Sequence, residues 1–306
     1  MQSDHGPNTA TYAVSRSRGK QPGESLYSTK LRERRIANGQ GRSSDESESD
    51  EEHEPGWVGR KTFNAVVLHQ LFHRKVIRRS DGIVVKSGKR LALGEAEAMR
   101  VARNAGIPVP HAHQAKTLPD GKSEIHMDYI QGESLDKLWS TMSVEEKKDI
   151  SRQLREILEQ MRSISPPSEL IGACDGTEIR DTRVLKTYHH PPCRDEESFN
   201  NFLLSSLVKT TPEMIREAFS LHLRTDHRVV LSHCDLAPRN ILVQDGKITG
   251  LVDWEDGGWY PEYWDYVKFF QRPANSDWKE YAKDIFPRLY HDELVAYTAI
   301  SRWQDS

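Results

Sequence analysis

The stretch from Leu231 to Asp256, "LSHCDLAPRNILVQDGKITGLVDWED", opens and closes on apolar runs that read as strands, yet it carries His233, Asp235, Arg239, Asn240 and Asp253. Burying such groups costs several kcal/mol unless each finds a partner. Either they satisfy one another or something that is not protein completes them. Asp245-Gly246 is a two-residue hairpin signal. A turn there sets Gln244 opposite Lys247 and Asn240 opposite Leu251, with Asp253 just beyond. Asn240 and Asp253 then share one end of the hairpin, and Asp235 lies in the loop that leads into it. An amide oxygen and a carboxylate converging at one point suit a hard divalent cation such as Mg²⁺. A further carboxylate nearby suits a general base.

The totals bound what such a site serves. The chain has 306 residues and a formal net charge of -3, so no global charge argues for nucleic acid or an anionic membrane surface. A hydrophobic fraction of 36% is low for a folded enzyme and implies that part of the chain is unfolded. Cys174, Cys193 and Cys234 show neither metal-ligand spacing nor a disulfide framework, which points to a reducing compartment. The start lacks the apolar core of a secretory signal, and no run approaches the roughly 18 apolar residues of a membrane span.

Composition divides the chain. Residues 1–55 read as a disordered charged tail, basic in "KLRERR" and acidic in "SSDESESDEE". A localisation signal beside a phosphorylatable patch is one reading of it; a solvated tail without a defined role is the better supported one. Residues 56–130 read as a small strand-rich lobe. "TFNAVVLHQLF" has the pattern of an amphipathic helix. "RKVIRRSDGIVVKSG" reads as two strands around Asp81-Gly82, "LGEAEAMRVARNAGIPVP" as a helix from about Leu93, and "AHQAKTLPDGKSEIHMDYI" as a second hairpin. Residues 131–306 read as a larger helical lobe. A capping box, Ser143 to Glu146, opens its long helix, and further helices are expected over 197–208, 212–223, 262–271 and 277–304.

With these elements in place, "HCDLAPRN" and "VDWE" resemble the catalytic loop H-G-D-x-x-x-x-N and the metal-binding I-D-W-E of the aminoglycoside phosphotransferase and choline kinase families, in their fungal short-lobed form. The resemblance covers roughly residues 65 to 303. It implies an α+β, bilobal protein-kinase-like fold with a small antiparallel sheet and a larger helical lobe. It also implies ATP and Mg²⁺ as cofactors, a small-molecule hydroxyl as acceptor, no nucleic-acid or membrane partner, a monomer, and a cytoplasmic place, with a nuclear one left open by the basic tail. Carried over by position, Asp235 is the base, Asn240 and Asp253 hold metal, and His233 and Asp265 support the loop. Lys86 at the end of "IVVK" corresponds to the lysine on the phosphates. Its partner is Glu95 or Glu97, and Glu95 is preferred because it shares a helical face with Met99 and Ala102. The backbone of Asp128, Tyr129 and Ile130 corresponds to the adenine hinge. Two features depart from the family. "RRSDGI" is too short a turn to drape over phosphates as a glycine-rich loop does, and Cys234 stands where the family has Gly.

Each residue has a plainer reading. Asp235, Asn240 and Asp253 also fit a non-catalytic pseudokinase or scaffold, although such relics tend to lose a member and none is lost here. A protein Ser/Thr kinase is a further alternative, opposed by Trp-Glu after Asp253 and by the lack of an A-P-E segment. Trp254, Trp259, Tyr260, Tyr263 and Trp264 resemble a cage for a quaternary ammonium, but packing is the better reading. Asp256 and Glu262 nearby weakly favour a cationic acceptor. His189, His190 and Cys193 read as a loop and not as a zinc site.

Overall fold

The structure, a computed structural model, describes residues 65–71, 73–183, 186–272 and 276–304. The charged tail, with its basic and acidic runs, lies outside the described residues.

The small lobe is an antiparallel five-stranded sheet in the order β1-β2-β3-β5-β4, built from β1 (Val66–Leu71), β2 (Arg74–Arg78), β3 (Ile83–Gly88), β4 (Ala112–Thr117) and β5 (Ser123–Asp128). Helix α1 (Gly94–Asn104) crosses it and buries Glu95, Ala98, Met99 and Ala102. Strand β5 alternates buried and half-buried along its length, the period-2 signature of one core face. On that face Ile125 and Met127 join Ala98, Met99 and Ala102 in the core.

Strand β1 corrects the sequence expectation. "VVLHQL" is not a helix but an edge strand paired with β2, exposed at all six positions. Short apolar runs cannot be assigned by periodicity alone. Here paired β-branched Val66 and Val67 and an available edge on β2 decide for the strand. The β2–β3 turn also differs from a two-residue one. Arg79 donates to Ile83 O at 2.8 Å, leaving Ser80, Asp81 and Gly82 in the loop, with Gly82 at φ 83°.

The large lobe starts at β6 (Glu133–Ser134) and the 20-residue helix α2 (Val144–Ser163). The expected capping box is present: Glu146 N donates to Ser143 Oγ at 3.2 Å, and Ser143 N to Glu146 Oε2 at 2.7 Å. The sequence reading missed β7 (Gly172–Ala173) and the β8 (Ile179–Thr182)–β9 (Thr187–His190) hairpin, so His189 and His190 end a strand instead of lying in a loop. Helices α3 (Glu196–Ser205) and α4 (Glu213–His222) follow close to where they were expected.

Then come β10 (Val229–Ser232), β11 (Ile241–Gln244), β12 (Lys247–Leu251) and β13 (Gly258–Pro261), and helix α5 (Trp264–Gln271). The helix expected over 277–304 is three pieces: a 3₁₀ turn at Asp277–Tyr281, a short helix at Ala282–Ile285 and α6 (His291–Ser301). Pro287, which cannot donate a helical hydrogen bond, lies in the last break.

Trp254, Trp259, Tyr260, Tyr263 and Trp264 are all buried in the large-lobe core, so the aromatic cluster is packing. Among the described residues no helix is long and apolar enough to cross a membrane.

Candidate active site

The site is assembled around the β11–β12 hairpin. Asp245 (φ 50°) and Gly246 (φ 72°) make the expected two-residue turn, and Gln244 faces Lys247. Further along, a bulge shifts the register by one, so Leu251 faces Ile241 and not Asn240. Asn240 instead accepts from Val252 N at 3.0 Å, one residue closer to Asp253 than the regular register gives. The hairpin leaves the ladder there, and Asp253 turns into the left-handed region at φ 66°.

Lys86 on β3 reaches across from the small lobe. Its Nζ donates to both carboxylate oxygens of Glu95, at 2.8 and 2.6 Å, and to Asp253 Oδ1 at 2.6 Å. The choice between Glu95 and Glu97 is thereby decided: Glu95 is 1% exposed on Lys86, whereas Glu97 pairs with Arg100 at the surface. Burial opposes every charge in this chain of three. At Lys86, Asp253 and Glu95 outweigh it and hold the ammonium well above its ordinary pKa. At Asp253, Lys86 and Arg74 outweigh it and hold the carboxyl below the usual range. At Glu95 burial wins and pushes the carboxyl up to about 7.

The loop that carries His233, Cys234 and Asp235 is fixed from beneath by α5. Asp265 Oδ1 accepts from His233 N at 3.1 Å and from Cys234 N at 2.8 Å. Burial pushes the Asp265 carboxyl up to about 6, against those two donors. Cys234 sits at φ 66°, the backbone reason a glycine suits its position. His233 bonds Val252 O at 3.1 Å and takes Asp235 N at 3.2 Å, and burial lowers its pKa, so it is a neutral strut between loop and hairpin.

Asp235 faces two arginines. Arg239 pairs with Oδ2, and Arg272 Nε lies 3.2 Å from Oδ1. That second contact is an ion pair without hydrogen-bond alignment, because both atoms are buried and lack a hydrogen-bond partner. Asn240 Nδ2 donates to Asp235 O at 3.0 Å, which leaves the amide oxygen as the face available to a cation. Oxygen donors at Asn240 and Asp253 fit Mg²⁺.

At the hinge, Asp128 N donates to His111 O at 3.0 Å and Tyr129 N to Gly82 O at 3.3 Å. The Asp128 carboxylate turns outward to His113 at 2.7 Å, and Arg78 covers the Tyr129 ring at 3.8 Å. Among the described residues the Ile130 amide meets no acceptor.

Sequence reasoning missed three arginines. Arg74 NH1 lies 3.6 Å from Asp253 Oδ1, and its NH2 pairs with Glu255. Arg180 and Arg272 both bond Asp256, at 2.9 Å each, and Thr182 adds a third bond at 2.8 Å. Asp256 is thus committed inside the protein, as is Glu262 to Arg228 and Arg288. These acids do not mark a cationic acceptor, contrary to their sequence reading. A cavity of about 220 Å³, lined in part by Leu93, Asp175, Thr177, Arg180 and Glu255, opens beside this network. Another, beside His227 and Tyr263, is about 20 Å³ and lies apart from these residues.

No curated protein matches the chain. Among solved structures, a thermostable mutant of aminoglycoside phosphotransferase APH(4)-Ia, in a ternary complex with AMP-PNP and hygromycin B, superposes with a TM-score of 0.59 at 14% identity, over 78% of this chain and 83% of that one. The GDP and kanamycin complex of APH(2")-IIIa gives 0.54 at 15% identity, over 79% and 83%. At such identity the likeness speaks for the bilobal kinase-like fold. The sequence profile of the phosphotransferase enzyme family matches residues 76–303, a span that runs from the strand before Lys86 through Asp265, and on that ground the chain belongs to the phosphotransferase enzyme family.

Proposed function

We propose that the protein transfers the γ-phosphoryl group of ATP to a hydroxyl of a small molecule. The observation that carries this reading is the Lys86 ammonium, held between Glu95 of α1 and Asp253 of the hairpin end. Elements far apart in sequence bring a buried Lys86–Glu95 pair and the half-buried Asp253 to one point, where a phosphate-binding cation and a metal-binding carboxylate would meet.

Lys86, oriented by Glu95, would bind the nucleotide phosphates. Asn240 and Asp253 would hold Mg²⁺, which when bound neutralises charge between phosphates. The Ile130 amide would meet the adenine edge, with Asp128 and Tyr129 contributing backbone only. Asp235 would orient the acceptor hydroxyl and take its proton on Oδ1, the buried oxygen that no hydrogen bond occupies. Arg239 and Arg272 pair with that carboxylate and aim it. Catalysis is then positioning and electrostatics, with no covalent enzyme intermediate.

A second reading, a nucleotide-binding scaffold without turnover, is favoured by the absence of glycine from the connection between β1 and β2. A protein kinase is disfavoured because β13 begins at Gly258, too soon after Asp253 for a long activation segment.

The test is ADP release over a broad panel of hydroxyl acceptors, with the product identified by phosphorus NMR, for wild type and Asp235→Asn. The proposal expects a phosphate ester from wild type and turnover lower by about 10²- to 10⁴-fold in the variant. ATP affinity should stay within about threefold, since Asp235 does not hold the nucleotide. Equal turnover in the two proteins would remove Asp235 from its role. ATP binding without turnover over the whole panel would favour the scaffold.

A further inference from the structure

The sequence places a turn too short for a glycine-rich loop at "RRSDGI" before Lys86, but the structure shows this turn at the hinge end of the sheet, where Gly82 O meets Tyr129 N. The connection of β1 to β2, where Leu71 pairs with Arg74, lies at the Lys86 end. Its sequence carries no glycine. What this end offers instead is Arg74.

Arg74 opens β2 directly opposite Gly88 of β3, while Lys86 lies opposite Val76. Residues two apart on a strand, and residues paired across an antiparallel ladder, share a face. Arg74 and Lys86 therefore emerge on the same side of the sheet. Gly88 has no side chain on that face, and a Cβ there would fall 2.3 Å from His73 O. The turn backbone is thus pressed onto β3, which fixes where Arg74 starts. Its guanidinium ends 3.6 Å from the same Asp253 oxygen that Lys86 approaches at 2.6 Å. Two cations from adjacent strands converge on one carboxylate oxygen, with the Arg74 side chain 21% exposed.

We propose that Arg74 is a phosphate-binding residue, its guanidinium gripping the anionic tail of the nucleotide beside Lys86 in place of the backbone amides of a glycine-rich loop. This rests on the nucleotide reading of the site given above. A guanidinium suits the task because its planar fork matches two phosphate oxygens at once. Asp253 and Glu255 hold the fork in the cleft until a more highly charged anion competes for it. The rival is a plain clamp between lobes, with Arg74 tying β2 to Glu255 and nothing more.

The two are separated by a ligand series. Adenosine, ADP and ATP, each with Mg²⁺, are titrated by calorimetry into full-length wild type, Arg74→Ala and Arg74→Gln. Gln keeps much of the stem and removes the charge, so it decides alone if the Ala variant does not fold. The expected result is adenosine affinity within about twofold of wild type and ADP and ATP affinities lower by about 10- to 100-fold, the usual loss for hydrogen bonds to a charged group. The proposal is overturned if ADP and ATP bind the variants within twofold of wild type, or if adenosine weakens as much as ATP, which is the signature of a clamp. Should wild type bind none of the three, the nucleotide reading itself fails, an outcome distinct from a wild type that binds and does not notice the loss of Arg74.

Discussion

Asp265 offers a prediction whose size can be worked from the structure. The residue is buried beneath the loop that carries Asp235 and bonds two backbone amides, those of His233 and Cys234. Burial carries its carboxyl from 3.8 in the unfolded chain to about 6 in the fold. At 1.36 kcal/mol per tenfold in proton affinity, ionising it in the folded state costs about 3 kcal/mol more than in the unfolded one. The sign follows from proton counting. Between about pH 4 and 6 the folded chain holds this proton and the unfolded chain has lost it, so stability falls as pH rises through that window. Below it both states are protonated and the cost vanishes; above it the cost is complete.

Asp265→Asn keeps an acceptor for the two amides and cannot ionise. The assay is urea unfolding of wild type and Asp265→Asn at intervals from about pH 4 to 7. The variant's stability minus that of wild type should grow by about 3 kcal/mol over the range. Groups common to both, Asp253 among them, cancel in the difference. A difference that stays flat, or that shrinks as pH rises, would refute the account of Asp265 as a carboxylate held against its burial. Asp265→Ala, which strips the acceptor from both amides, should fall below the Asn variant by about 2 kcal/mol or more at every pH.

Three further outcomes follow from the packing. Cys234→Gly releases a left-handed residue from a strain of about 1–2 kcal/mol and loses a small buried thiol, so unfolding should place it within about 1 kcal/mol of wild type; a loss above about 2 kcal/mol would mean the thiol's packing dominates. Gly88→Ala drives a Cβ to 2.3 Å from a backbone oxygen and should cost about 2 kcal/mol or more in stability, with weaker nucleotide binding as the turn lifts; a neutral effect on both would show that the turn is not pressed onto β3. Lys268→Met removes the buried partner of Asp181, bonded at 2.5 Å, while Arg183 remains. The expected loss is about 3 kcal/mol, the low end for breaking a buried pair, and denaturation showing less than about 1 kcal/mol would contradict it.

The hairpin turn and the convergence of polar residues at its end were legible because local chemistry specifies them. Asp245-Gly246 admits few backbone conformations, and the polar residues around it have no reason to sit in apolar strands unless they converge. Glu95 was separable from Glu97 by helical phase alone, since only one phase packs against a sheet. What escaped was set by tertiary context. "VVLHQL" carries no decisive period, and its pairing with β2 determines its state. The bulge that moves Asn240 one residue toward Asp253 was missed, and Gly250 inside "ITGLVD" is its one local signal. Arg74, Arg180 and Arg272 look like ordinary surface cations until the fold brings each against Asp253, Asp256 or Asp235. For the same reason Asp256 and Glu262 read as available acids when the fold has already committed them.

The central claim, a Mg²⁺-dependent nucleotide site built on Asp253, is met most directly by the thermal stabilisation that ATP and GTP give with and without Mg²⁺, in wild type and in Asp253→Ala. At about 100 times the dissociation constant, ligand should add about 2.7 kcal/mol to the wild-type fold, a rise of several degrees for a domain of this size. The account predicts a Mg²⁺-dependent shift in wild type that disappears in the variant. A folded wild type that shows no shift with either nucleotide would contradict it.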